Sequence, residues 1–203
     1  GRLVEYKSTA RWNIHELRKD KQMEDNIVKA VAGFSNAEGG TLLIGVGDDG
    51  QLLGLDKDYE LVKPSNSDGY INWLDSLLEN TLTHSIAQRI KTRIDEIESM
   101  DVCRVDVPAS TKPVWVHKDG INVLFLRRNN STRKLPEEEI EAFIDERFPE
   151  NGLEKQEKGD EFESEDFSRN DLVPLDIQEQ DESGMTPRIK TWLNGLLDLG
   201  FRN

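Results

Sequence analysis

Cysteine is almost missing from this chain: Cys103 is the only one in 203 residues. No intrachain disulfide can form, and the sequence reads as cytosolic. Histidine is scarce too, and His15, His84 and His117 lie far apart with no Cys or His partner at ligand spacing, which argues against a zinc site. No apolar stretch approaches the length of a membrane span, and no signal peptide precedes the first strand, so no membrane contact is expected. Positive charge is also in deficit, with a formal net charge of −14. A protein so acidic does not wrap duplex nucleic acid through its overall charge, and any anion site has to be a local cationic groove. The lone thiol has a structural signature. In Val102-Cys103-Arg104-Val105-Asp106-Val107 the apolar residues Cys103, Val105 and Val107 alternate with charged ones, the pattern of a strand with a packed core thiol rather than a nucleophile.

The charge is unevenly spread. Residues 1–149 carry 20 Lys and Arg against 26 Asp and Glu, net −6, whereas residues 150–203 carry 6 against 14, net −8. From Glu150 to Ser183 the chain is mostly Glu, Asp, Gln, Ser and Gly with few large apolar residues, too little to bury for independent folding. We therefore expect a core domain over 1–149 and a flexible acidic linker over 150–185. Over 186–203 a short amphipathic helix is expected, because Ile189, Trp192, Leu193, Leu196 and Leu197 recur at helical spacing. That helix either docks on its own domain or contacts a second subunit or another protein. The chain opens inside what reads as a strand, Leu3 to Lys7, and so reads as a piece of a longer protein.

The densest motif runs from Gly33 to Gly50. Gly45, Gly47 and Gly50 spell the G-x-G-x-x-G of a dinucleotide-binding turn, which requires a helix opening at the last glycine. Gly54 follows too soon for one, and Asp49-Gly50 between two apolar runs signals a hairpin instead. The spacing predicts a helix over Met23 to Glu38 with Ile27, Val28, Val31 and Phe34 on one face and Gly39 as a left-handed cap. A strand follows over Thr41 to Val46, with Gln51 to Leu55 as the return arm of the hairpin. A long helix capped by Ser67 or Asp68 is expected to run to about Arg89. Further strands are expected over Lys91–Glu98, Val102–Val107, Pro113–His117 and Ile121–Arg128. A last helix is expected over Pro136 to Phe148, with Ile140, Phe143 and Ile144 turned inward. Strands and helices without a βαβ rhythm predict an α+β fold, a mixed, mainly antiparallel sheet packed with helices.

Several segments in order resemble the Schlafen/AlbA-type DNA-binding domain. They are Val4-Glu5-Tyr6-Lys7, the stretch Gly33-Phe34-Ser35-Asn36-Ala37-Glu38-Gly39-Gly40 through Val46, Asp48-Asp49-Gly50 through Leu55, Val105-Asp106-Val107-Pro108, Lys112-Pro113-Val114, and Phe125 through Thr132. The resemblance covers about residues 3–148 and implies a nucleic-acid-binding α+β domain of regulators or defence proteins. Some Schlafen proteins are endoribonucleases that cut transfer RNA with clustered carboxylates and a divalent metal. By that resemblance Glu5 matches the glutamate of the family's Glu-Phe-Lys strand, and Asp48 or Asp49 the aspartate after its Ile-Gly-Val strand. A nuclease of this kind would use Glu5, Asp48 and Asp49 as catalytic residues and as ligands to Mg²⁺ or Mn²⁺; a plain binder needs no cofactor. Gly47 stands where the family often has aspartate, and the nuclease's further glutamate falls before Gly1.

The binding reading rests on cations. Arg127, Arg128, Arg133 and Lys134 surround Asn129, Asn130, Ser131 and Thr132 in what reads as a basic loop between the last strand and the last helix. Lys7 and Arg11, beside Trp12, form a second small basic group. The plainer alternative makes Asp48 and Asp49 turn residues and pairs Glu5 with Lys7 or an arginine. Vertebrate Schlafen cores resemble two such domains facing each other around a groove, so a single copy predicts a homodimer. The function expected is therefore nucleic-acid binding, DNA or RNA, by a cytoplasmic homodimer. A metal-dependent endoribonuclease and a protein-interaction module are the alternatives. The acidic run Glu157 to Asp166 suggests a tail that mimics nucleic acid in the groove.

Overall fold

The computed structural model describes residues 1–149, so the expected acidic linker and C-terminal helix lie outside the described residues. Within 1–149 the chain runs β1 (Val4–Lys7), β2 (Trp12–Asn13), β3 (Arg18–Lys19), α1 (Lys21–Asn36), β4 (Gly40–Ile44), α2 (Asp56–Tyr59), α3 (Ser67–Thr81), α4 (His84–Ala87), β5 (Lys91–Ile97), β6 (Met100–Val107), β7 (Trp115–Lys118), β8 (Ile121–Arg128), β9 (Ser131–Lys134) and α5 (Glu137–Arg147). β1, β4, β6 and β5 form a four-stranded sheet in that order, and β7, β8 and β9 a three-stranded one. Only the β1–β4 pair is parallel. The fold is α+β with mainly antiparallel sheets.

α1 lies between the two sheets. Its apolar positions Ile27, Val28, Val31 and Phe34 join Leu42 and Ile44 of β4 and Cys103, Val105 and Val107 of β6 in one core. Full burial of each large member is worth roughly 1.5–3 kcal/mol over leaving it exposed. Cys103 is one of these fully buried residues, and burial pushes its thiol well above the usual range, away from reactive thiolate. Asp20 starts α1, its carboxylate accepting the Gln22 amide at 2.9 Å. At the other end Gly39 takes a φ of 79° and its amide returns to the Phe34 carbonyl at 2.9 Å.

Three expectations need correction. The hairpin after β4 forms, but its return arm is reduced to one bridge, Val46 to Leu52. Gly45, at φ 94°, turns the chain off the sheet, and its carbonyl collects the amides of Leu53 and Gly54 at 2.8 and 3.1 Å. The long helix stops at Thr81 because Leu82 goes extended to bridge Val116 of β7, leaving α4 as a separate turn; its cap is Asn66, whose side chain accepts the Gly69 amide at 3.0 Å, not Ser67 or Asp68. The segment after β8 is a strand, β9, and not a loop, so Asn129 and Asn130 are a two-residue hairpin turn with Asn129 at φ 56°. The helix α5 turns Ile140, Phe143 and Ile144 to half-buried positions only.

Candidate functional site

The family-like motif Gly33 to Gly40 closes α1 and ties three elements together. A side chain at Gly33 would meet Thr132 Cγ2 at 2.3 Å, so glycine there lets β9 lie against the helix. Asn36 is fully buried. Its amide nitrogen donates to the carbonyls of Val114 at 2.9 Å and Phe125 at 2.8 Å, and its oxygen accepts the Val114 amide at 2.8 Å. One side chain thus satisfies both edges of the crossover into β7 and the middle of β8. Sequence reading took Asn36 only as part of a motif; an amide in the last turn of an otherwise apolar helix face was the available signal.

Strand parity decides the fate of the basic residues. Arg127 is on the inward face of β8 and its side chain is only 2% exposed. Its guanidinium pairs with Glu5, donates to the carbonyls of Arg2 at 3.0 Å and Gly1 at 2.7 Å, reaches Thr132 Oγ1 at 3.3 Å, and stacks 4.3 Å over the Phe34 ring. It is a knot between β1, α1 and β8: Arg127, expected among the nucleic-acid-binding cations, is buried at the end of its strand instead. Arg128, one residue on, points outward with its side chain 72% exposed and only a loose pair to Glu139 at 3.9 Å. Arg133 and Lys134 are exposed as well, while Ser131 and Thr132 are half-buried.

Two clefts flank the end of β8. One, of about 380 Å³, has Leu126, Leu135 and Pro136 as its apolar part and Arg128, Ser131, Arg133 and Lys134 as its polar part. The other, of about 460 Å³, lies between β1, the end of α1 and α5, and adds Arg2 and Arg147. Arg128 and Asn129 line both. Sequence reading missed Arg2 and Arg147, which come to the site only through tertiary packing; Arg147 donates to the Ala37 carbonyl at 2.9 Å.

The second expected basic group does not assemble. Arg11 is 8% exposed, with Nε on Glu24 at 2.9 Å, NH1 on the Leu61 carbonyl and its plane 4.5 Å over Trp73. Lys7 pairs with Glu5 at 2.6 Å. The backbone around Arg11 is held from the other side by Asp58, whose carboxylate accepts the amides of Ala10, Arg11 and Trp12 at 2.6, 3.0 and 2.9 Å. Burial pushes the Asp58 carboxyl up, and those three amides oppose the shift.

Of the carboxylates expected as metal ligands, Glu5 and Asp49 have other partners among the described residues. Both Glu5 oxygens are engaged by cationic side chains, Lys7 and Arg127. Asp49 accepts the Gln51 amide at 3.0 Å across its own turn. Among the described residues no group of three or more His, Cys, Asp or Glu is arranged to hold a metal ion. Asp48 and Asp49 stand in the turn after β4, and Glu5 is an ion-paired strand glutamate.

Among solved structures, the chain is similar to the DIP2311 protein of Corynebacterium diphtheriae at 19% identity with a TM-score of 0.50, over 72% of this chain and 27% of that one. This chain therefore spans about a quarter of that protein's length, and the likeness shows the fold. It is also similar, at 22% identity and a TM-score of 0.40, to the N-terminal domain of a RecG-related protein from Nitrosomonas europaea, over 64% of this chain and 80% of that one. No curated protein matches. Among the described residues no helix is long and apolar enough to cross a membrane. The Schlafen AlbA_2 family model matches residues 1–136, from the Arg127-bound start of β1 through the cleft-lining hairpin, and the chain belongs to that family.

Proposed function

We propose that the chain binds nucleic acid through the cleft beside the β8–β9 hairpin, whose outward face carries Arg128, Ser131 and Arg133 and whose edge is lined by Lys134. The carrying observation is that Arg128, Arg133 and Lys134 line one cleft as exposed cations, beside the hydroxyl of Ser131 and the amide of Asn129, on a protein whose net charge is −14. Affinity for nucleic acid comes mainly from phosphate contacts, and three cations with neutral donors between them suit successive phosphates of a strand. The apolar residues of the cleft give a base or sugar something to pack on. Thr132, Arg127 and Lys7 belong to this reading as positioning residues, since they set the hairpin against α1 and β1. Arg11 belongs to a separate structural knot. Homodimerisation, which would set two such clefts around a groove, and a role in a cytoplasmic regulator or defence protein accompany the proposal.

The test is a titration of the chain with single-stranded DNA, duplex DNA and transfer RNA across a range of salt, with Arg133→Glu combined with Lys134→Glu as the comparison. Losing two phosphate contacts lowers the slope of log affinity against log salt by about 1.4–1.8. An unchanged slope and affinity would take the hairpin out of the binding surface.

A further inference from the structure

α5 is strongly acidic: of its eleven residues six are Asp or Glu, Phe143 is its one aromatic residue and Arg147 its one basic residue. Those two stand four positions apart and therefore on one face of the helix. They are the residues that α5 contributes to the cleft of about 460 Å³, and none of the helix's acids lines it. α5 packs shallowly, with none of its residues fully buried. Phe143 is half-buried, its ring set in a T-shape against Phe148 with 5.8 Å between centroids. Among the described residues the hydrogen bonds of Arg147 leave from Nη2 alone, to the carbonyls of Ala37 at 2.9 Å and Ser110 at 3.5 Å, so Nε and Nη1 are left as donors toward a ligand. The family match ends at residue 136, and this wall of the cleft is therefore read from the chain's own residues.

We propose that this cleft is a second subsite for the same ligand, and that the ligand is a single strand of nucleic acid, DNA or RNA, running from the hairpin cleft across Arg128 into it. The inference rests on the binding reading above and names its substrate class. Arg128 and Asn129 line both clefts, so a phosphate held by Arg128 has its neighbours along the strand directed to either side. On the hairpin side Arg133 and Lys134 receive them, and on the other side Arg2 and Arg147. Arg2 is paired with Glu38, but the two side chains are 63% and 53% exposed, and such a surface pair is weak enough for a phosphate to take the place of the carboxylate. Arg127 lies in the same wall but is already neutralised by Glu5. Phe143, with Leu3 and Leu126 in the same cleft, offers the surface on which a base stacks. At about 380 and 460 Å³ the two clefts have the size of small-ligand pockets, about 300–1,000 Å³, which is room for an unpaired nucleotide in each. The bases of a duplex are stacked inside it and reach such a pocket only by flipping out, a cost that a single strand does not bear.

The test is a titration of the full chain with a labelled oligothymidine and with a duplex of equal length at several salt concentrations. Phe143→Ala should weaken strand binding about fivefold or more, the loss of one stacked base, with the salt slope unchanged because no charge is removed. Arg147→Gln should lower that slope by about 0.7, whereas Arg147→Lys, which keeps the charge but not the planar fork, should retain it. The duplex should bind the parent chain more weakly than the strand does, and Phe143→Ala should leave duplex binding unmoved. Ultraviolet crosslinking of the oligothymidine to the unaltered chain, localised by mass spectrometry, should mark Phe143, a readout that depends on no variant folding. The second subsite is overturned if Arg133→Glu with Lys134→Glu abolishes strand binding while Phe143→Ala and Arg147→Gln bind like the parent, or if the crosslink misses Phe143; the hairpin reading then stands alone. Duplex binding as tight as strand binding also overturns it. If the parent chain binds no strand, both readings fall together.

Discussion

The two faces of the β8–β9 hairpin use the same residue type in opposite ways. Inward, Arg127 is dry and bonded to β1, α1 and β9; outward, Arg128 is wet and almost uncommitted. Nothing in the dipeptide distinguishes them, and only the alternation of a strand does. The difference teaches that on this hairpin the inward face holds the domain together and the outward face is free to meet a ligand. A cation buried with an acid is costly to orphan, while an exposed one contributes little to stability and much to an encounter with phosphate.

The largest expected effect breaks the inward face. Arg127→Met removes the partner of Glu5 and the bonds to the Arg2 and Gly1 carbonyls, and should lower stability by about 3–5 kcal/mol, read as a shift of the urea midpoint. Lys7 stays beside Glu5, which places the expectation at the lower end of that range. A loss under about 1 kcal/mol would mean that the knot is not what anchors β1. Asn36→Leu should follow at about 2–3 kcal/mol, because the buried Val114 amide and the Phe125 carbonyl lose their partner while the volume is nearly kept.

Arg128→Met is the matched test of the outward face. Its expected cost to stability is within about 0.5 kcal/mol, since its one ion pair is loose and exposed. Its effect should appear in nucleic-acid affinity, with a salt slope shallower by about 1. A variant that unfolds like Arg127→Met, or one that binds like the parent, would erase the contrast between the faces.

Much of this is legible in the sequence. The alternation around Cys103 gave a core strand, and β8 was read to the residue. The alternative pairing of Glu5 with Lys7 or an arginine is what the fold adopts. What stayed hidden has a common physical cause. β9, Ser131 to Lys134, has no apolar alternation because its hydrogen bonds to β8, and not its own burial, keep it in place. The inward turn of Arg127 and Arg11 depends on aromatic rings, Phe34 and Trp73, that are distant in sequence. The two-residue ribbon β2–β3 and the triple amide grip of Asp58 are likewise products of contacts that no local period announces.

The smallest expected effect sharpens the comparison from the far end of α1. Asp20 caps the helix there, and hydrogen bonds from the Asn13 side chain and the Gln22 amide hold its carboxyl below the ordinary value of 3.8. A carboxyl whose folded-state value is depressed stabilises the fold fully above its unfolded value, and that contribution fades as pH falls through the folded one. Asp20→Ala should therefore lower the melting temperature slightly near neutral pH, and parent and variant should converge as the solution is taken below 3.8. Nucleic-acid affinity should not move, because the cap lies at the opposite end of the helix from Asn36 and the hairpin. A loss of affinity without unfolding would show that the outward face is governed by the whole helix, and that the division between the faces of β8 and β9 is not local.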